Sequence, residues 1–410
     1  GQLYGEVDPQ TTEWIDGVLA KKIEICAADE SPEKHWVVFD GPVDSLWIES
    51  MNTVLDDNKK LCLNSGQIIP LTDRMTMMFE VEDLEVASPA TVSRCGMVYM
   101  EPQALGTDCI FQSWYNTFPP PFKLSDKLSQ KIKDYVSKYI GELQRFVRKE
   151  LYEPVVTMDN NLCNSFCKIL DCYFAPYYDN EAREITKEEI DELESMIDSL
   201  FCYAVVWSFG CTTNFEGRKK FDHKMRQVMK GFDGLPPDSG YVYDFCYDIK
   251  NKMWVDWLET VPEYKVDTNL DYTDIVVPTF DSIRMKYIKK LLISNKKHVL
   301  SPGNTGTGKT INVEELLANE LSEDYQSLII TFSAQTSANQ TQDALDEKFE
   351  KRARGVFGPA PGKKFVIFVD DLNMPKKEEY GAQPPIEFLR QWLDHGGWYD
   401  RESKEKNFMR

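Results

Sequence analysis

The sequence predicts an α/β chain interrupted by a long all-helical stretch. Three features carry this reading: strand-length apolar runs near both ends, each closed by an aspartate; a continuous helical stripe between them; and a glycine-rich loop leading into an apolar helix. At 410 residues, with 42% hydrophobic, 28% charged and 12% aromatic residues, the chain is long enough for two or three domains with sizeable cores. The longest apolar run, Phe201 to Phe209, is far short of the ~18 residues of a membrane span and contains a serine. The opening from Gly1 is polar and acidic, so no secretory signal is expected and the sequence reads as a piece of a longer chain. With 47 basic and 67 acidic residues the net charge is −20, which argues against a nucleic acid or an anionic membrane as partner. The ten cysteines are scattered without a C-x-x-C pair, and Cys163 and Cys167 have no histidine nearby; buried free thiols are expected rather than zinc ligands.

In chain order, Trp36 to Phe39 is an apolar run ending in Asp40 and reads as a buried strand. After the turn Gly41-Pro42, the positions Leu46, Trp47, Met51, Val54 and Leu55 have helical spacing. Met75 to Phe79 and Met97 to Met100 are two more strand candidates, a succession suited to a parallel sheet. Leu128, Ile132, Tyr135, Val136, Tyr139, Ile140, Leu143, Phe146 and Val147 then form one stripe of 3.6-residue period. Thr186 followed by Glu189 is a capping-box pattern ahead of the apolar series Ile190 to Phe201. These stripes are read as core. Gly231 to Gly240 is a cluster of chain breakers and the expected domain boundary. Beyond it Asp281 to Leu292 reads as a helix, Val299-Leu300 as a short strand, and Leu328 to Phe332 and Phe365 to Val369 as buried strands.

Gly303, Asn304, Thr305, Gly306, Thr307, Gly308, Lys309 and Thr310 match G-x-x-x-x-G-K-[ST]. Glycines let successive backbone N–H groups turn inward around phosphate oxygens, where a Cβ would block the approach. In that chemistry Lys309 reaches the β- and γ-phosphates and the Thr310 hydroxyl ligates Mg²⁺, and the helix of Ile311 to Leu321 completes the anion site. The Phe365–Val369 strand delivers Asp370 and Asp371 to its C-terminal end, as a Walker B motif does: Asp370 is the expected Mg²⁺ carboxylate and Asp371 the group that orients attacking water. Asp40 closes the first strand in the same way, but Gly41 follows, and glycine cannot polarise water; a site here would bind nucleotide without turning it over efficiently. Arg94 is either a surface arginine or a finger toward the γ-phosphate of a neighbouring module.

Three stretches, Phe39 to Asp44, Leu55 to Leu63 and Ala87 to Gly96, resemble the second AAA+ module of dynein heavy chains. Gly306 to Thr310, Phe332 to Thr336, Phe368 to Pro375 and Gln383 to Glu387 with Leu389-Arg390-Gln391 resemble the third, and the wording is closer to axonemal than to cytoplasmic members. The resemblance implies tandem AAA+ P-loop NTPase modules, with parallel-sheet α/β subdomains separated by an all-helical lid. Residues 1–102 would be the later part of the second module's α/β subdomain, 103–232 its helical lid, and 233–410 the start of the third. It also implies ATP or ADP with Mg²⁺ as ligands. Arg94 would be the finger serving the first module, Asp40 part of a structural nucleotide site, and Val277, Pro278 and Thr279 the lining of an adenine pocket.

The implied partners are the other AAA+ modules of the heavy chain, with intermediate and light chains and microtubules engaged through parts outside this segment. The implied location is the cytoskeleton of a ciliary or flagellar axoneme in the cytoplasm. AAA+ ATPases usually place glutamate where Asp371 stands, while axonemal members often share the aspartate, so hydrolysis in the third module stays open, and this segment alone is not expected to hydrolyse ATP. Two other readings remain: a nucleotide-locked scaffold of the ring that does not itself hydrolyse ATP, and an unrelated P-loop kinase or transporter ATPase, for whose second substrate site the sequence gives no signal.

Overall fold

The computed structural model describes residues 3–81, 83–101, 105–178, 185–261, 264–265, 271, 275–378 and 381–409. The expected boundary at 102 therefore lies outside the described residues. The chain divides into two compact units, one formed by Gly1–Tyr99 with Glu323–Arg410 and the other by Met100–Ser322.

In the first unit, strand His35–Asp40 pairs in parallel with Met75–Glu80, in the register Asp40↔Glu80. Burial alternates along the strand: Val37 and Phe39 face inward, while Trp36 is 66% exposed. The strand is thus half-buried rather than enclosed, because only one face is covered by core among the described residues. On that face Phe39 stacks on Phe79 at 4.8 Å and on Trp47 at 5.4 Å. Helix Val18–Ala28 adds Leu19 and Ile23, and Met51, Val54 and Leu61 close the cluster. Asp44 starts helix Ser45–Glu49 by accepting from the Trp47 N–H at 2.9 Å. Met97 to Met100 does not form the expected strand and stands exposed; a strand exists only where a neighbour takes up its ladder, and no described segment pairs with it.

The same unit contains the strands Tyr325–Thr331 and Lys364–Asp370, parallel along their whole length with Thr331 opposite Asp370. A small four-stranded sheet, in the order Glu350–Ala353, Val356–Gly358, Lys406–Met409 and Gly397–Tyr399, was not legible in the sequence. Its strands are three or four residues long, too short to show a period.

The second unit is built on helices. The predicted stripe runs through helix Asp126–Tyr135, a π-turn at Val136–Ile140 and helix Gly141–Glu150, and buries Leu128, Ile132, Val136, Leu143 and Val147. Helix Lys187–Ser208 begins with the predicted capping box: Thr186 Oγ1 accepts from the Glu189 N–H at 3.3 Å, and Glu189 Oε2 accepts from the Thr186 N–H at 3.0 Å. From Leu200 onward it is buried on every side, packed against helix Asp159–Phe174. The breaker segment after helix Phe215–Val228 is tied down rather than loose. Arg226 donates to the carbonyls of Pro236, Pro237 and Gly240, each at 3.0 Å, and to Asp238 at 2.7 Å. Trp257, fully buried, donates to the Tyr243 carbonyl at 2.9 Å and meets Tyr287 edge-on at 5.2 Å. Tyr287 lies on helix Phe280–Ser294, whose Ile283 also belongs to this core, so the helix that leads toward the glycine-rich loop rests on the helical core.

Candidate nucleotide site

The glycine-rich loop lies in the unit Met100–Ser322. Val299-Leu300 before it is not a strand, again for want of a neighbouring ladder among the described residues. Gly306 and Gly308 have φ of 78° and 73°, a region that only glycine enters without strain. Gly308 is also the left-handed cap from which helix Lys309–Glu315 starts, continued by a π-turn at Leu316–Glu320. Lys309 Nζ folds over the loop and donates to the carbonyls of Gly303 at 2.9 Å and Asn304 at 2.7 Å. Thr307 donates to the Asn304 carbonyl at 2.9 Å, and Asn312 Nδ2 to the Gly308 carbonyl at 2.8 Å. The loop is therefore a closed turn with its lysine on the mouth and Thr310 at the second helical position.

The helix after the loop is held by charge. Lys286, itself buried, places its ammonium 2.9 Å from Glu315 and 3.5 Å from Glu320. Nothing in the sequence marked Lys286, because a lysine on an amphipathic helix ordinarily faces water. Val277, Pro278 and Thr279 form an extended approach to helix Phe280–Ser294. Thr279 caps that helix by accepting from the Ser282 N–H at 3.2 Å, and Val277 is 58% exposed.

Asp370 and Asp371 stand at the end of strand Lys364–Asp370, in the first unit. The Asp370 carbonyl accepts from the Phe332 N–H at 3.0 Å, which locks the Phe332 to Thr336 loop beside it, and Phe332 is buried. The Asp371 N–H donates to Asp370 Oδ1 at 3.0 Å, and Asp371 itself adopts φ 53°, a left-handed conformation that aspartate tolerates better than most side chains. Downstream, Gln383 Nε2 donates to the carbonyls of Asn373 at 3.1 Å and Pro375 at 2.6 Å, fastening this loop to the start of helix Pro384–His395.

Asp40, in the same unit, is forked by Arg390: Nη1 to Oδ2 at 2.6 Å and Nη2 to the Asp40 carbonyl at 2.7 Å. The acceptor bond from Asp40 is the leading reason the Arg390 guanidinium is held above its ordinary pKa. Arg390 had no individual signal in the sequence beyond lying within a recognisable stretch. Arg94 follows the short helix Pro89–Val92, which Ser88 caps; it pairs with Asp56 and donates to the Ala90 carbonyl at 2.6 Å. Its side chain is about one-third exposed. Among the described residues no group of three or more His, Cys, Asp or Glu side chains gathers into a metal cage.

Two family profiles match the chain: residues 132–259 the one described as dynein heavy chain AAA lid domain, and residues 264–410 the one described as P-loop containing dynein motor region, a nucleotide-binding element. Over 98% of its length the chain is 45% identical to human dynein axonemal heavy chain 1 and 46% identical to the mouse protein of that name. Against human dynein axonemal heavy chain 12 it is 41% identical over 99% of its length. It spans about a tenth of the first two relatives and 14% of the third.

Proposed function

We infer the role of this segment from the family to which it belongs, the dynein heavy chains, and propose that it is a nucleotide-binding part of the motor ring of an axonemal member. In this reading residues 1–102 close the α/β subdomain of the second module, 103–232 form its helical lid, and 233–410 open the third. The parent activity is ATP-driven movement along microtubules within the axoneme of a cilium or flagellum, by an AAA+ ATPase acting as an intact ring. The neighbouring modules are its immediate partners, with intermediate chains, light chains and microtubules engaged elsewhere.

Within the third module, ATP or ADP lies on Gly303 to Thr310. Backbone N–H groups freed by the two left-handed glycines meet the phosphate oxygens, and Lys309 exchanges its two loop carbonyls for the β- and γ-phosphates. Thr310 and Asp370 would each be available to hold Mg²⁺, which would supply neutralisation of phosphate charge when bound. Asp371 orients the attacking water; its assignment and that of Asp370 rest on their strand-end placement. Val277, Pro278 and Thr279 flank the adenine. Asp40 contributes to a second, non-hydrolytic nucleotide site, and Arg94 reaches toward the γ-phosphate of the first module, exchanging Asp56 for that anion.

The observation that carries the reading is the closed loop with Gly306 and Gly308 left-handed and Lys309 across its mouth. Its test is equilibrium titration of this chain with a fluorescent ATP analogue and Mg²⁺, beside Lys309→Ala. Loss of one charge-assisted contact set weakens binding at least about tenfold, about 1.4 kcal/mol. Equal affinity in the two proteins removes the phosphate-loop assignment.

A further inference from the structure

Asp40 has a partner that nucleotide binding does not use. Arg390 stands 350 positions away in sequence and engages both the side chain and the carbonyl of Asp40, at 2.6 and 2.7 Å. Its direction is set within its own helix: Nε donates to Glu387 at 2.9 Å, and Asp394 lies 3.5 Å from Nη1, one turn to either side. The helix Pro384–His395 is bounded by prolines at its start and by left-handed Gly396 at its end, so the fork is presented from a defined element. Beside the pair is a cavity of about 540 Å³ whose lining includes Val38, Asp40, Glu387, Arg390, His395 and Lys406. At the other end of the helix, Gln383 grips the carbonyls of Asn373 and Pro375, in the loop that follows Asp370 and Asp371.

A divalent cation brought to Asp40 would lie within a few ångströms of the Arg390 guanidinium, and the repulsion between the two positive charges weakens the hold of each on the shared carboxylate. We propose that Arg390 and the Mg²⁺ that accompanies a nucleotide compete for Asp40, so that filling the Asp40 site releases helix Pro384–His395 from strand His35–Asp40. The inference rests on the proposed reading of Asp40 as a nucleotide-site carboxylate. Its consequence is a mechanical link between two sites: release at Arg390 loosens the helix, and Gln383 passes the change to the loop behind the third module's carboxylates. By reciprocity, holding that helix in place disfavours nucleotide at Asp40.

The test is amide hydrogen exchange, resolved by peptide, in a heavy chain carrying this segment, with and without Mg²⁺ and a non-hydrolysable ATP analogue. Wild type, Asp40→Asn and Arg390→Gln are compared, with Arg390→Lys as the conservative variant. With nucleotide, the wild-type peptide covering 35–41 gains protection while the one covering 386–395 exchanges about tenfold faster. In Arg390→Gln the helix exchanges fast from the start and nucleotide adds nothing, whereas Arg390→Lys, a point charge without the fork, lies between. If protection of 35–41 appears, is lost in Asp40→Asn, and the helix stays unchanged, the competition is wrong and the Asp40 site stands. If protection of 35–41 is the same in Asp40→Asn as in wild type, the Asp40 reading itself fails and takes the competition with it.

Discussion

Lys309, Arg94 and Arg390 are cations already engaged with oxygen: Lys309 with two loop carbonyls, Arg94 with Asp56 and a carbonyl, Arg390 with Asp40. For Lys309 and Arg94, meeting a phosphate would be an exchange of partners rather than a new pairing, and for Arg390 the loss of Asp40 would be uncompensated, so the net gain in each case is smaller than the bare attraction. Arg94→Ala is expected to slow hydrolysis in the preceding module of a heavy chain while leaving nucleotide affinity at Lys309 unchanged. A normal turnover rate in that variant makes Arg94 a structural partner of Asp56 only. At Asp371 the backbone is left-handed, which asparagine tolerates as well as aspartate. Asp371→Asn therefore removes charge without adding strain: melting temperature stays put, and phosphate release from the third module, read with the first module silenced by mutation, falls to background. Undiminished release excludes Asp371 as the group that orients water.

The elements that place these residues owe their positions to a few polar contacts laid over apolar packing. Lys286 joins the helix Phe280–Ser294 to the helix that follows the phosphate loop, through Glu315 and Glu320. Lys286→Ala takes this cation from Glu315 and leaves Glu320 with Lys290 at 3.9 Å, and the amides of 309–320 are expected to exchange several-fold faster in hydrogen-exchange measurements; unaltered rates would mean that the Lys286 pairs do not hold that helix. The capping box at Thr186 begins a helix whose second half lies inside the helical core. Thr186→Ala costs about 1 kcal/mol, a fall of about 2–4 °C in melting temperature for a unit of this size, measurable by calorimetry. An unshifted transition would show that the helix start frays without consequence. Both contacts differ in how far the sequence disclosed them: Thr-x-x-Glu is a local pattern, while Lys286 meets its partners only after two helices are brought side by side.

Across the molecule the cysteines record which parts are enclosed. Cys163, Cys167, Cys172, Cys202 and Cys246 are buried, whereas Cys62 and Cys109 are exposed. Burial pushes the Cys163 and Cys172 thiols up to about 12 and Cys246 to about 11. At pH 8 almost none of these three is thiolate, the reactive form, so raising the pH toward their values increases reactivity only as far as the fold opens. Iodoacetamide at pH 8 is expected to modify Cys62 and Cys109 first, with the buried five protected until denaturant is added; early modification of Cys163 by mass spectrometry would contradict the enclosed helical core.

The sequence by itself determined the α/β class, the helical middle, the phosphate loop and the carboxylate-ended strands, because each is written in neighbouring residues: a period, a cap, a run of glycines, an aspartate after valines. It also carried the family through those same motifs. Tertiary structure alone decided that Trp36 faces outward, that Met97 to Met100 and Val299-Leu300 form no ladder among the described residues, and that Lys286 meets Glu315. It alone put Arg390 on Asp40. Strand pairing and ion pairing between distant residues depend on which surfaces meet, and the spacing of residues along a chain holds no record of that meeting.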